Sequence, residues 1–271
     1  MCCIFGIGLF KGHRLKDSDT LIGTVSRLFK EAEIGGRRAA GLSVMREREA
    51  HVLRRPIPGS ALISSTEYLD FMNKHVDVND RYNPLMSIIG HCRLDTQGSP
   101  ENNLNNHPQV VGDIIGVHNG HIRNNNELFT SFEKVITRQA EVDTEIIFSL
   151  INHFAHPVKA KTVDAIQKTT PYLQGGYACG MQSTKHPFNL YLFRHGNPIN
   201  IVYYPKMGLV FFATRSHFIT TAWEEFADVD GVGDPIDLMT DNGIVFNLWN
   251  KTSCKFRFRD YQAAKELKGN A

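Results

Sequence analysis

No apolar run in this chain approaches the ~18 residues that a membrane-crossing helix needs, so the sequence offers no transmembrane helix. The apolar stretch Ile4 to Phe10 is too short, and lacks the basic start, of a signal peptide. Neither sign of charge is in excess: 30 lysines and arginines against 28 acidic residues leave a net +2, which gives no electrostatic reason to expect a nucleic acid or an anionic membrane. A small molecule or a partner protein is the expected ligand. The five cysteines, Cys2, Cys3, Cys92, Cys179 and Cys254, are odd in number and lack metal-ligand spacing, which argues against both a disulfide framework and a zinc site. They suit a reducing, cytoplasmic compartment. Repeats, low-complexity tracts and clear linkers are missing as well. Gly6-x-Gly8 lacks the third glycine and following helix of a dinucleotide loop, and His118 with His121 lacks a third ligand at motif spacing. No metal and no cofactor are therefore expected.

What is present is enough for a full core: 271 residues, 42% of them hydrophobic, are expected to form a single domain over residues 1–271. Leu21, Ile22, Val25, Leu28, Phe29 and Ala32 follow helical spacing behind the capping candidates Asp17 and Ser18. A second helix is predicted from about Asp143 to the His156-Pro157 break, and a third between Thr162 and Thr170. Short β-rich segments account for most of the rest, at 4–10, 41–45, 87–92, 110–117, 177–182, 190–193, 199–204, 209–213 and 244–248. Turn signals such as His195-Gly196-Asn197-Pro198 and Asp241-Asn242-Gly243 separate the later ones at meander spacing. Antiparallel sheets in an α+β layered fold follow. Residues 57–65 and 77–84 read as excursions.

The start, Met1-Cys2-Cys3-Ile4, carries the chemistry. Aminopeptidases remove an initiator methionine that precedes a small side chain, which would leave Cys2 with a thiol and a free α-amine on one residue. An α-amine of pKa ~7.7–8.0 beside a thiol of ~8.5 is a nucleophile with its own base. The plainer reading of Cys2 is a residue of a buried first strand.

Four polar clusters lie between residues 90 and 145. Gly90-His91-Cys92-Arg93-Leu94-Asp95-Thr96-Gln97-Gly98 sends an arginine from an apolar strand into a polar loop, where it could hold a carboxylate by two parallel hydrogen bonds or simply form a surface ion pair. Asn105-Asn106-His107-Pro108 is the second cluster. In the third, His118-Asn119-Gly120-His121-Ile122, Asn-Gly is either a tight turn or a pair of donors for an oxyanion. In Val142-Asp143-Thr144-Glu145, at the start of a predicted helix, the aspartate by itself reads as an N-cap.

In this order the segments resemble the glutaminase domain of the class II, N-terminal-nucleophile, glutamine amidotransferases, most of all the glutaminase half of glucosamine-6-phosphate synthase. That family shows a Met-Cys-Gly-Ile start, Ser-Ala-Gly-Leu, Gly-His-Thr-Arg-Trp-Ala-Thr-His-Gly, Asn-Ala-His-Pro, His-Asn-Gly-x-Ile-x-Asn and Ser-Asp-Thr-Glu. The counterparts here are Met1 to Ile4, Ala39 to Leu42, Gly90 to Gly98, Asn105 to Pro108, His118 to Asn124 and Val142 to Glu145. Later segments, 173–178, 192–194 and 211–216, are similar more loosely. The resemblance implies a four-layer αββα sandwich, with two packed, mainly antiparallel sheets between helix layers. It implies Cys2 as nucleophile toward L-glutamine, Asn119 and Gly120 as oxyanion donors, and Arg93, Thr96 and Asp143 as substrate-binding residues. Because little chain remains for the synthase half of such enzymes, the ammonia acceptor is expected on a separate protein.

The departures concentrate near the acceptor side. Cys3 replaces the family glycine, and Leu94, Asp95 and Gln97 replace an aromatic, an alanine and a histidine. Gly35 stands where relatives carry an arginine, and Arg38-Ala39 replaces Asp-Ser. Ammonia transfer is thus less firmly implied than glutamine hydrolysis, and a glutamine-sensing protein of weak turnover is the alternative.

Overall fold

The computed structural model describes residues 2–46, 48–80, 86–94, 97–156, 161–226 and 233–258. In chain order the elements are β1 (Cys3–Leu9), α1 (Ser18–Ala32), β2 (Ala39–Arg46), β3 (Glu49–Arg55), α2 (Gly59–Ile63), α3 (Thr66–His75), β4 (Ser87–Arg93), β5 (Gln109–Val111), β6 (Ile114–Gly120), α4 (Asn125–Ser131), α5 (Thr144–Ala155) and α6 (Thr162–Thr169). They continue with β7 (Tyr177–Ser183), β8 (Asn189–His195), β9 (Asn200–Tyr204), β10 (Leu209–Ala213), α7 (Ser216–Phe226), β11 (Asp234–Ile236), β12 (Asn242–Asn247) and β13 (Thr252–Arg257). One sheet has the order β11-β9-β10-β1-β4-β2-β3 and the other β13-β12-β8-β7-β6-β5. Strand pairing is antiparallel throughout the described ladders.

Three apolar layers hold four layers of structure together. The outer face of the first sheet packs Phe5, Ile7, Leu42 and Ile88 against Leu21, Val25, Phe29, Tyr68, Phe218 and Trp223 of its helices. The outer face of the second sheet packs Cys179, Met181 and Phe193 against Ile146, Ile147, Leu150 and Ile166. Between the sheets lie Ile4, Ile89, Ile115, Val117, Leu192, Val210 and Phe212. Strand alternation explains the sorting: along β1, odd positions Cys3, Phe5 and Ile7 face the helices while Ile4 faces the other sheet. This is the αββα sandwich expected from the sequence.

Phe212 shows why the central strands carry glycine. A Cβ on Gly6 would come within 2.2 Å of the Phe212 ring, and a Cβ on Gly180 of the opposite sheet within 2.5 Å. One aromatic ring thus occupies the space that two missing side chains leave. A polar bridge fixes the same interface: Ser43 Oγ donates to Gln182 Oε1 at 2.8 Å, and Gln182 Nε2 donates to the Ser87 carbonyl at 2.7 Å. All three residues are buried, so these bonds offset desolvation and resist sliding of one sheet over the other.

Helix α1 begins where expected, with the Asp17 side chain accepting from the Thr20 amide at 2.7 Å. Helices α5 and α6 also fall where predicted. Several elements depart from the sequence reading. The segment 110–117, read as one strand, is a hairpin in which β5 and β6 turn at Gly112, whose φ of 56° suits glycine. Residues 57–65, read as an excursion, contain α2, and α3, α4, α7, β3, β11 and β13 were not anticipated. The core signal for α7 is present at Phe218, Ile219, Ala222 and Trp223, but its β-branched and aromatic residues mask the helical spacing. β3 is an edge strand rich in charge and so lacks an apolar alternation.

Candidate active site

The antiparallel pairing of β1 with β4 sets Cys3 opposite Cys92, which brings the start of β1 beside the end of β4. Cys2, half-buried at that start, lies against the exit of β4: its Sγ is 3.3 Å from the Leu94 amide nitrogen and 3.4 Å from the Leu94 carbonyl oxygen. Burial pushes the Cys2 thiol up from its ordinary pKa, the Leu94 amide and the Arg93 charge pull it down, and Asp143 pushes it up again. Cys3 turns the other way, into the core beneath the helices, where burial also raises its pKa. Two adjacent thiols therefore occupy different environments.

Arg93, the last residue of β4, is 3% exposed. Its guanidinium donates to Asn106 Oδ1 at 2.9 Å and to the carbonyls of Gln97 and Gly98 at 2.6 and 2.7 Å. The arginine is therefore buried rather than on the surface, and it shapes the loop that follows it. Asn106 is anchored in turn on the Pro100 carbonyl and Asn103 Oδ1. Asn105 exchanges hydrogen bonds with Glu141, accepting from its amide and donating to its carboxylate. Asp95 and Thr96, the second of them an expected substrate ligand, lie outside the described residues.

The second sheet contributes the end of β6. Asn119 is fully buried, its Nδ2 3.5 Å from Thr214 Oγ1 and its Oδ1 without a hydrogen-bond partner among the described residues. Thr214 Oγ1 also accepts from the Ile4 amide at 2.9 Å, so the Asn119 side chain is tied to β1 two residues from Cys2. Asn119-Gly120 is not a turn: it continues the ladder, opposite Ala178 and Tyr177. Gly120 has φ 153°, and a Cβ there would sit 2.0 Å from the Gly176 carbonyl oxygen. Only glycine fits this backbone.

Asp143 precedes α5 and is 4% exposed. It makes no capping bond, contrary to the plainer expectation. Its Oδ2 accepts from the Ile122 amide at 2.6 Å, with His121 Nδ1 3.3 Å away. His118 points instead to Thr144, so the two histidines weighed as a metal pair serve different partners. Among the described residues no group of three His, Cys, Asp or Glu side chains could hold a metal ion.

Beyond Leu94 a cleft of about 490 Å³ opens, lined by Lys30, Glu33, Ile34, Gly35, Arg37 and Arg38 among others. Ile34 and Leu94 are exposed on its walls. Gly36 floors it closely, since a Cβ there would meet the Arg93-Leu94 peptide at 2.1–2.2 Å.

A thiol at a strand start, two candidate donors at the end of a facing strand, and an arginine and aspartate on either side form a setting for acyl transfer to a cysteine. The model of a family described as "Glutamine amidotransferase domain" matches residues 91–221. The chain carries a class II glutamine amidotransferase domain. This domain is 38% identical, over 114 residues, to the glutamine–fructose-6-phosphate aminotransferase (isomerizing) of Acinetobacter baylyi, a match covering 42% of this chain and 18% of that protein. The corresponding protein of Lactococcus lactis is 35% identical over 114 residues, covering 42% and 19%. The match thus takes in less than a fifth of these curated relatives' length. In fold, the amidotransferase domain is similar to glutamine phosphoribosylpyrophosphate amidotransferase from B. subtilis, with a TM-score of 0.68 at 16% identity over 95% of this chain and 49% of that one. A structure titled as the allosteric regulatory enzyme of purine biosynthesis gives 0.69 at 17% identity with the same coverages. Among the described residues no helix is long and apolar enough to cross a membrane.

Three residues of the candidate site were not singled out from the sequence. Thr214 lies 95 residues from Asn119, and the packing of one sheet on the other brings it near. Glu145, buried, accepts from the Gln139 and Ala140 amides at 2.7 and 2.6 Å and so holds the loop ahead of Asp143. Thr144 sat inside a quoted motif, but nothing in its spacing signalled its two histidine partners.

Proposed function

We propose that this domain hydrolyses L-glutamine to glutamate and ammonia through a γ-glutamyl thioester on Cys2. With Met1 removed, the α-amine of Cys2 takes the thiol proton and the sulfur attacks the carboxamide carbon of glutamine. The amide oxygen gains negative charge, which the Asn119 side chain and the Gly120 N–H stabilise; one such donor contributes ~2.7–4 kcal/mol. The C–N bond then breaks, the proton passes from the amine to the departing ammonia, and water attacks the thioester to release glutamate and restore the thiol. Arg93 binds the α-carboxylate of glutamine, Asp143 its α-ammonium, and Thr96 lines the pocket. The observation that carries the reading is the convergence of Cys2, Arg93, Asn119, Gly120 and Asp143, from three motifs and the chain start, at one end of the sandwich.

Because the Gln97 and Gly98 carbonyls occupy the Arg93 guanidinium, the substrate carboxylate competes with them, and binding re-seats the loop after β4. This links glutamine binding to Leu94 and to the cleft beyond it. A separate acceptor protein docking at that cleft receives the ammonia, and the chain acts as a single amidotransferase domain in the cytoplasm.

Glutamate release by the purified protein, with intact mass measured on the same sample, tests the reaction. A protein lacking Met1 that releases no glutamate, alone or with a captured partner, overturns it. A second reading draws on the same two features, the raised Cys2 thiol and the engaged Arg93: a domain that binds glutamine and turns it over poorly, as a sensor. Calorimetric glutamine binding with negligible turnover would favour that reading.

A further inference from the structure

Three buried histidines and one threonine lie behind the site. His91, His107 and His118 are 1%, 5% and 3% exposed, and Thr144 is 2% exposed. Thr144 Oγ1 is 2.9 Å from His107 Nε2 and 2.8 Å from His118 Nδ1, while the His91 ring stacks on His107 at 4.1 Å. The positions of these residues in the chain matter. His91 is two residues before Arg93, and His107 follows Asn106, which accepts from Arg93. His118 immediately precedes Asn119, and Thr144 follows Asp143. Members of the cluster are thus chain neighbours, within two residues, of Arg93, Asn119 and Asp143.

We propose that Thr144 is a positioning residue for this site, its hydroxyl locking His107 and His118 in one tautomer so that Asp143 and Asn119 keep a fixed separation. The inference rests on the glutaminase reading for its functional consequence. The hydroxyl has one proton, and among the described residues Oγ1 has no third partner. It must donate to one imidazole and accept from the other. Two neutral rings satisfy this in two ways: both carry their proton on Nδ1, or both on Nε2. In the first, the His107 Nδ1–H is buried with no acceptor. In the second, the His118 Nε2–H is the buried donor without a partner and His107 Nδ1 is left as a bare lone pair. Each arrangement leaves one ring N–H and one ring lone pair unpartnered, and in both the two rings share the same tautomer.

The test uses the full chain, labelled with ¹⁵N. Long-range ¹⁵N–¹H spectra near neutral pH should show His107 and His118 in the same tautomer, both Nδ1–H or both Nε2–H. In Thr144→Val the Ile122 amide, which donates to Asp143, should shift, and glutamine kcat/KM should fall roughly tenfold, the equivalent of about 1.4 kcal/mol or one buried hydrogen bond. Thr144→Ser should restore both readouts. The tautomer measurement needs no variant to fold and no activity, so an inert wild type would defeat the glutaminase reading while leaving this test intact. Opposite tautomers in the two rings, or a Thr144→Val protein that loses stability while its Ile122 amide and kinetics stay at wild type, would overturn the proposal.

Discussion

The Asn119 side-chain amide lies 3.5 Å from Thr214 Oγ1, the same oxygen that accepts from the Ile4 amide two residues after Cys2. One threonine just past β10 thus couples β1, which follows the proposed nucleophile, to β6, which ends with the proposed oxyanion donors. Positions so fixed make the site sensitive to small changes, and the consequences can be measured.

Cys2→Ala should abolish glutamate release, whereas Cys3→Ala should retain most of it, because the Cys3 side chain packs into the core beneath the helices. Intact mass of the active protein should show the loss of one methionine. An electrophilic glutamine analogue should label one thiol per chain, and peptide mapping should place it on Cys2. Labelling of Cys3 instead would reverse the assignment.

Asn119→Ala should lower kcat by roughly 10²–10³ with a smaller change in KM, since its contact strengthens only as the oxyanion forms. Arg93→Lys and Asp143→Asn should act mainly on KM, because each is proposed to meet the amino-acid end of glutamine rather than its reacting carbon. Steady-state kinetics on the three variants distinguish these outcomes, and a pure kcat defect in Arg93→Lys contradicts the role given to that arginine.

Gly120→Ala should be inactive and destabilised, since its Cβ would lie 2.0 Å from the Gly176 carbonyl oxygen at a φ of 153°. Thermal unfolding measures the cost. A stable, active Gly120→Ala protein would show that β6 can leave the β7 ladder at this point without consequence.

Acid should unfold the protein earlier than its carboxylates alone require. Burial holds His91, His107 and His118 below the ordinary imidazole pKa, His91 down to about 3, with Arg93 and Arg54 adding to the effect and Asp143 opposing it at His118. Folded-state values lower than unfolded ones give stability that is present above pH 6.5 and lost as the pH falls toward the folded values. Each buried imidazole contributes a slope of about 1.4 kcal/mol per pH unit in that range. Denaturant titrations at pH 7, 6 and 5 should show the decline, and His91→Phe should flatten it by about one proton's share; equal stability at pH 7 and 5 would rule it out.

The sequence carried the helices α1, α5 and α6 openly, because each buries a stripe at helical spacing, and α1 has a capping aspartate at its start. It hid α7 and β3, where residue preference or charge opposed the element that tertiary packing imposed. At the site, the residue types of Cys2, Arg93, Asn119, Gly120 and Asp143 were legible as chemistry, since a thiol, a fork of donors and a carboxylate declare what they can bind. Their surroundings were not. Asp143 reads as an N-cap and Asn119-Gly120 as a turn until the ladder with β7 and the Ile122 amide are in view.

By itself, then, the sequence determined the repertoire: a likeness to class II amidotransferases, layered sheets and helices, and a cysteine next to the first methionine. Tertiary structure alone decided which groups meet. Strand order set β1 between β4 and β10 and laid β6 across from them, so Thr214 reaches Asn119 and Thr144 reaches two histidines 37 and 26 residues away. Periodicity along a chain reports only which face a residue occupies, and the distance between two faces is fixed by how sheets and helices pack.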